Sequence, residues 1–349
     1  MELYNLGKVP WQESQLIYHA LARLGRESLV LVSPASPYVC VGFHQGLDQE
    51  LDLEFCQAND IPVFRREVGG GTVYLDGDQL FYQLILHRDN PIAPLKKEAF
   101  YREFLEPVVN TYRRIGIQAE YKPVNDVIVS GRKISGTGVG EIGDCLVFVG
   151  NLILDFNYEM MSRILKVPHE KFRDKIHQTM EENLTTIRRE LGTAEALRWD
   201  EASLNALMRE EFEKLLGPLT PREKDSDLKD KMDELAAWML SRDWTGRKGR
   251  RISGREVKIR EGMKVAERVH KAPGGLIRAI FEFREGRFSN VSISGDFFCY
   301  PENAISRLES MIEGKPVEKL HKILTEFYED ENVETPGITI DDWMEVFGG

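Results

Sequence analysis

The 349-residue chain carries 57 acidic against 46 basic residues, a formal charge of −11, with 42% hydrophobic residues. That balance argues against non-specific binding to nucleic acid and supplies enough apolar side chain for a sizeable core, in one long domain or two. No segment approaches the roughly 20 apolar residues of a membrane span, and Met1-Glu2-Leu3-Tyr4 opens no basic-then-apolar leader, so a cytoplasmic protein with no membrane partner is expected.

In chain order, Gln12 to Leu24 reads as a helix, with Leu16, Ile17, Ala20, Leu21 and Leu24 on one face and Gly25 near its end. Strands follow at Ser28–Val32, Tyr38–Val41, Val63–Arg65 and Leu80–Leu86, punctuated by Pro34, Pro37 and Gly42. Leu95 to Ile115 has the spacing of one helix, carried by Phe100, Phe104, Leu105, Val108, Val109 and Tyr112. A run of hairpins comes next: Val127–Val129, the turn Ser130-Gly131-Arg132, Lys133–Ser135, then Cys145–Val149 through Leu152–Leu154.

Residues 160–216 read as mostly helical, with breaks at Pro168, Gly192 and the Pro218–Pro221 pair, and Lys229 to Leu240 as another amphipathic helix. After Trp244–Arg250 the pattern changes to alternating strands, including Ile277–Phe283 and Phe288–Ile293, closed by short helices near Asn303–Met311, Val317–Phe327 and Asp341–Phe347. The change divides the chain into a larger domain over 1–243 and a smaller one over 250–349. Basic residues crowd the stretch from Arg247 to Lys271, which suits docking an acidic partner or a solvated linker and strand edge.

The most informative segment is Phe64-Arg65-Arg66-Glu67-Val68-Gly69-Gly70-Gly71-Thr72-Val73-Tyr74. A glycine run inside a strand pattern gives up packing and backbone entropy, as happens at a sharp bend or where a ligand approaches the main chain. Arginines beside opened backbone N–H groups suit phosphate or carboxylate oxygens. A flexible hairpin tip with a solvated arginine edge is the bland alternative. The segment lacks the Gly-Lys-Ser/Thr of a P-loop and the spacing of a dinucleotide fingerprint.

Lys133 follows a tight turn and is bounded by Gly136 and Gly138, so its ammonium could stabilise charge in a cleft or blunt a hairpin edge. Asn125-Asp126 offers an amide and a carboxylate for a nucleotide, with Asp126 a candidate for holding Mg²⁺ through water, or it is simply a turn. Cys40, Cys56, Cys145 and Cys299 have no paired spacing for zinc or a redox pair, and the seven histidines form no metal or triad pattern.

Three elements in order, Tyr38-Val39-Cys40-Val41-Gly42-Phe43-His44-Gln45, Arg65-Arg66-Glu67-Val68-Gly69-Gly70-Gly71-Thr72-Val73, and Asn125-Asp126 followed by Arg132-Lys133-Ile134-Ser135-Gly136, resemble the lipoate–protein ligase family. Ser292–Phe298 resembles the accessory domain of its long members. The resemblance implies an α+β fold, a mixed β-sheet flanked by helices related to biotin ligases and class II synthetases, plus a smaller α+β domain. It implies an ATP- and Mg²⁺-dependent enzyme that converts lipoate or octanoate to acyl-AMP and passes the acyl group to a lysine of a lipoyl carrier domain. On this likeness Arg66, Gly69, Gly70, Gly71, Thr72, Val73 and Tyr74 line the acyl-adenylate with Asn125 and Asp126, and Lys133 is the catalytic residue. Val68, Leu75 and Gln79 depart from the family, which often has Ser or Thr, His, and Asn there. A transferase of the same fold using Cys145 and a non-catalytic binder of lipoyl carriers are the alternatives.

Overall fold

The computed structural model describes the chain except residues 94–95, 168, 170–171, 248–256, 261–262, 285 and 349, and the side chains of 257–260, 263–265 and 284. The residues group into two compact units. The larger comprises 1–40, 51–66 and 73–245, and the smaller comprises 41–50, 67–72 and 246–349. Two short stretches from the first third of the chain therefore group with the C-terminal part.

The larger unit's strands are β1 (Glu2–Val9), β2 (Ser28–Pro34), β3 (Tyr38–Val41), β4 (Val63–Arg65), β5 (Val73–Leu75), β6 (Gln79–His87), β7 (Glu120–Lys122), β8 (Asp126–Val129), β9 (Arg132–Ser135), β10 (Thr137–Ile142), β11 (Cys145–Ile153) and β12 (Thr220–Pro221). Six of them form one sheet in the order β10-β11-β6-β2-β1-β12. It is mixed, because β2 and β12 run parallel to β1 whereas β6, β11 and β10 pair antiparallel. Two smaller sheets have the orders β4-β3-β5 and β7-β8-β9. All seven residues of β2 are buried, as expected of a strand in the sheet interior.

Helix Trp11–Arg23 lies in this core with nine buried residues, including Ser14, Gln15 and His19. Burial of those polar groups is tolerated because each is bonded: Ser14 Oγ donates to the Trp11 carbonyl at 2.6 Å, Gln15 Nε2 donates to the Tyr38 hydroxyl at 2.6 Å, and His19 Nδ1 meets the Gln15 carbonyl at 2.8 Å. The helix expected over 95–115 is two, Lys97–Phe104 and Glu106–Arg114. Pro107 in the first turn of the second lacks the N–H that would continue the first, so the chain re-initiates there. Leu95 lies outside the described residues.

The stretch 160–216 contains helices Tyr158–Ile164, Arg173–Asn183, Ile187–Leu191, Thr193–Ala196 and Glu201–Leu216. Gly192, at φ 77°, separates two of them, and the expected break at Pro168 lies outside the described residues. Asp200 and Asp225 accept the N–H of Ser203 and Leu228, capping helices Glu201–Leu216 and Ser226–Met239. Such caps contribute about 1 kcal/mol each.

The smaller unit is an antiparallel sheet of β13 (Val257–Arg260), β14 (Met263–Ala272), β15 (Gly275–Arg284) and β16 (Arg287–Gly295) in sequential order. Its core joins Ile277, Ala279, Phe281, Phe288 and Ile293 from the strands to Leu308, Leu324, Phe327, Trp343 and Phe347 from helices Ala304–Ile312, Leu320–Tyr328 and Ile340–Gly348. The 41–50 stretch is bonded into this unit. Arg278 donates to Gln49 Oε1 at 2.8 Å and Glu50 Oε1 at 3.2 Å, and the His44 ring stacks on Phe297 with centroids 5.1 Å apart. Burial pushes the Glu50 carboxyl up, and the Arg278 guanidinium opposes it.

Candidate active site

Lys133 sits on β9, half-buried, with its Nζ 2.6 Å from Asp126 Oδ1 on β8. The cross-strand register, Ile128 opposite Lys133 and Val129 opposite Arg132, brings the two side chains together across a local irregularity of the ladder. A lysine and a carboxylate that the sequence offered separately are thus one ion pair. The strand is held by fully buried neighbours: Tyr112 Oη donates to the Ile134 carbonyl at 2.8 Å, and Ser135 Oγ donates to the Asn151 carbonyl at 2.6 Å. The Thr185 N–H also donates to the Lys133 carbonyl at 2.8 Å.

Asn125 Nδ2 donates to the Thr137 carbonyl at 2.6 Å, while Thr137 Oγ1 returns a bond to the Asn125 carbonyl. The Asn125 amide therefore fixes the chain just beyond Gly136. Among the described residues no group of three or more His, Cys, Asp or Glu could hold a metal. One of the Asp126 oxygens already faces the Lys133 ammonium.

The two arginines ahead of the glycines have different fates. Arg65 is fully buried, its Nε donating to the Thr245 carbonyl and its own carbonyl accepting from Trp244 Nε1, both at 2.9 Å. Arg66 keeps partial exposure, with Nη1 3.4 Å from the Cys40 carbonyl and 3.6 Å from Cys40 Sγ. Past the glycines, Tyr74 is buried and Val73 exposed.

Gly69 and Gly70 each have a local reason to be glycine. A Cβ on Gly69 would lie 2.8 Å from the Phe297 carbonyl oxygen and 3.0 Å from Phe298 Cδ1, closer than such contacts allow. Gly70 has φ 87°, a left-handed conformation that costs residues with a Cβ about 1–2 kcal/mol, and its N–H donates to the Phe297 carbonyl at 3.2 Å. For Gly71 the nearest atom to a Cβ is Asp296 Cβ at 3.7 Å, an ordinary contact. Thr72 Oγ1 donates to Gln45 Oε1 at 3.0 Å. The close backbone approach inferred for the glycine run thus has a protein partner at Gly69 and Gly70, the segment Phe297-Phe298.

The candidate residues divide between the units: Arg66, Val73, Tyr74, Asn125, Asp126 and Lys133 belong to the larger, and Gly69, Gly70, Gly71 and Thr72 to the smaller. Of the basic stretch from Arg247 to Lys271, Lys248, Arg250, Arg251 and Arg255 lie outside the described residues. Arg247 is described, its guanidinium 4.3 Å from the Phe43 ring centroid.

Cys145 is fully buried at the start of β11, and burial, reinforced by Glu27 and Asp144 against Arg88, pushes its thiol up to about 11. Six residues further along β11, about 20 Å at strand rise, lies Asn151, which sequence reasoning missed. Its Oδ1 accepts the Gly136 N–H at 2.9 Å and its N–H donates to the Gly136 carbonyl at 3.2 Å. β11 runs unbroken through Gly150 and Asn151. The signal available was two small or polar residues inside an otherwise apolar run.

Residues 9–212 match the family described as the lipoyl protein ligase A/B catalytic domain, and residues 265–347 the bacterial lipoate protein ligase C-terminus. Lipoate–protein ligase 1 of Staphylococcus aureus is 25% identical over 334 residues, covering 94% of this chain and 89% of its own. Lipoate-protein ligase A subunit 1 of Thermoplasma acidophilum is 30% identical over 159 residues, 43% of this chain and 59% of that one. Octanoyltransferase LipM of Kyrpidia tusciae is 25% identical over 236 residues, 61% of this chain and 84% of that one. In fold, the chain resembles the crystal structure of P. falciparum LipL1 in complex with lipoate, with a TM-score of 0.70 at 15% identity and 95% of each chain covered. No helix among the described residues is long and apolar enough to cross a membrane. On the match of residues 9–212 and of its C-terminal part, the chain belongs to the lipoate–protein ligase family, in the long form that carries the additional C-terminal domain.

Proposed function

We propose that the protein activates lipoate or octanoate with ATP and transfers the acyl group to a lysine of a lipoyl carrier domain. In the first step the carboxylate attacks the α-phosphorus of ATP, a new P–O bond forms and the bond to pyrophosphate breaks. In the second the carrier amine attacks the acyl carbon, the C–O bond to AMP breaks, and the amine's proton leaves to solvent. The observation that carries the reading is the Lys133–Asp126 pair on an immobilised strand, a half-exposed fixed cation whose counter-ion is a single carboxylate.

Both steps gather negative charge on oxygens, first on the phosphate and then on the acyl oxygen. An ammonium held beside those oxygens stabilises that charge as it develops. On this reading Lys133 exchanges its contact with Asp126 for the carboxyl and phosphate oxygens of the substrate. The family likeness assigns Arg66, Gly69 to Tyr74, Asn125 and Asp126 to the adenylate as well. Mg²⁺ accompanying ATP offsets triphosphate charge. Asp126 would hold the ion through its waters, beside the nucleotide's own phosphates.

Cys145 gives the transferase reading little support, since a nucleophilic thiol needs an electropositive, accessible setting and this one is buried beside two carboxylates. The test is pyrophosphate release with ATP, Mg²⁺ and a series of fatty acids including lipoate, followed by mass spectrometry of a lipoyl carrier domain. Acid-dependent pyrophosphate release and a modified carrier lysine are expected. No release at any chain length would leave a carrier-binding protein instead.

A further inference from the structure

Beyond the residues assigned to the ligand, we infer that the buried amides of Gln79 and Asn151 form a positioning pair. They lock the strand carrying Lys133 to the segment leaving the glycine run. The chain of bonds is continuous and lies within the larger unit. Gln79 Nε2 donates to the Tyr74 carbonyl at 3.0 Å, Asn151 Nδ2 donates to Gln79 Oε1 at 2.8 Å, and Asn151 Oδ1 accepts the Gly136 N–H at 2.9 Å. Tyr74 belongs to β5, Gln79 to β6, Asn151 to β11, and Gly136 follows β9. Two stretches far apart in sequence are therefore held in register by two side chains.

The register of the main sheet makes the pair possible. Gln79 lies opposite Ile153 and Phe81 opposite Asn151, so Gln79 and Asn151 are diagonal neighbours on one face of the β6–β11 ladder. Both are buried, at 1% and 9% exposure. A buried amide that lacked partners would destabilise the sheet. Here each amide uses its oxygen once and its nitrogen once, and the arrangement is directional end to end.

Asn151 also fixes the other side of Gly136, donating its backbone N–H to the Gly136 carbonyl at 3.2 Å. Gly136 in turn sits beside the lysine, since a Cβ built on it would lie 3.9 Å from Lys133 Cε. A second arm strengthens the hold. Gly150 leaves room for Tyr82 to lie across β11, where its hydroxyl is 3.2 Å from Ser135 Oγ, which itself donates to the Asn151 carbonyl. Loss of the amide pair thus frees Gly136 on one side and the Tyr74 carbonyl on the other, and the lysine's tether loosens.

This inference rests on the adenylation reading, with Lys133 acting on the substrate and Gln79 acting through Lys133. The experiment is a double-mutant cycle on the full-length protein. Gln79→Met keeps the volume and removes both hydrogen bonds, and Lys133→Arg keeps the cation on a longer, differently shaped side chain. Pyrophosphate release is measured for parent, both single variants and the double variant, with kcat and KM for the fatty acid separated. Gln79→Met should lower kcat about 10- to 100-fold with KM for the acid changed less than about twofold. That loss should shrink to less than about threefold in the Lys133→Arg background, because the group being positioned is no longer the native one. Gln79→Asn, which retains an amide one methylene shorter, should recover part of kcat.

Equal losses from Gln79→Met in both backgrounds would overturn the inference and leave the pair merely structural, as would a loss carried entirely by KM. Should Gln79→Met fail to fold, the same comparison with Asn151→Thr, read against thermal unfolding of each variant, decides it. Absence of pyrophosphate release from the parent protein would count against the proposed function. A competent parent, a defective Lys133→Arg and an unaffected Gln79→Met would count against this inference alone.

Discussion

Replacing Gly69 by alanine should destabilise the smaller unit, and replacing Gly71 should not. An alanine Cβ at 69 falls 2.8 Å from the Phe297 carbonyl oxygen and 3.3 Å from Phe298 Cα, whereas relaxed carbon–oxygen contacts lie near 3.3–3.6 Å. Roughly half an ångström must be found, and the contacting atoms are mainly backbone. That backbone is tied down: Phe297 O accepts from Gly70 N–H, Gly295 N–H donates to the His44 carbonyl at 3.1 Å, and the Phe297 ring meets Trp343 edge-on at 5.9 Å. Giving way weakens a hydrogen bond contributing about 0.5–1.5 kcal/mol and disturbs a filled core, for a total of about 1–3 kcal/mol. Thermal unfolding should then show a lower Tm by about 3–5 °C per kcal/mol, with hydrogen exchange accelerated at residues 295–298. Gly71→Ala, whose Cβ meets nothing closer than 3.7 Å, should melt within about 0.5 kcal/mol of the parent yet release pyrophosphate more slowly if a ligand approaches that backbone. A Gly69→Ala protein as stable as the parent would refute the packing argument. A fully active Gly71→Ala would refute the assignment of that glycine to the ligand.

Gly150→Ala should be more severe, because its Cβ would land on the Tyr82 hydroxyl and lie 2.8 Å from Cε2 of a fully buried ring. Tyr82 must leave its slot, and a loss of about 2–4 kcal/mol is expected in chemical denaturation; a stable variant would mean that Tyr82 has another rotamer open to it. Cys145→Ser should retain acyl transfer within about twofold, and its abolition would favour the thioester route. The folded Cys145 thiol, pushed up to about 11 by burial, stays protonated where an unfolded thiol ionises. Its contribution to stability is complete below about pH 8.5 and is lost as pH rises towards 11. Alkylation at pH 8 should accordingly be slow until denaturant is added, and rapid labelling of the native protein would contradict the burial.

Much of the architecture was legible because it is written in local periodicity. Leu16, Ile17, Ala20 and Leu21 recur at helical spacing and are buried in helix Trp11–Arg23, and Tyr38–Val41 and Val63–Arg65 form strands where the pattern predicts them. What stayed hidden depends on contacts distant in sequence. The Glu2–Val9 strand has no clear alternation, with Asn5, Gly7 and Lys8 in its middle, yet it lies between β2 and β12 in the main sheet. The site motifs announced themselves by composition, but their supports did not. Asn151 and Gln79 are single polar residues in apolar strands, and only the diagonal register of two strands shows that they bond to each other. Likewise, nothing local to Gly69-Gly70-Gly71 reveals that Phe297 presses on the first two.

The most direct test of the central claim is single-turnover pyrophosphate release by the Lys133→Ala protein with saturating ATP, Mg²⁺ and fatty acid. Lys133 is partly exposed and its only described side-chain partner is Asp126, so the variant should fold with little change in Tm. A fixed donor of this kind accounts for about 10²–10³ in rate, and a loss of that size is predicted. Release within about threefold of the parent would show that the ammonium at 133 takes no part in acyl activation.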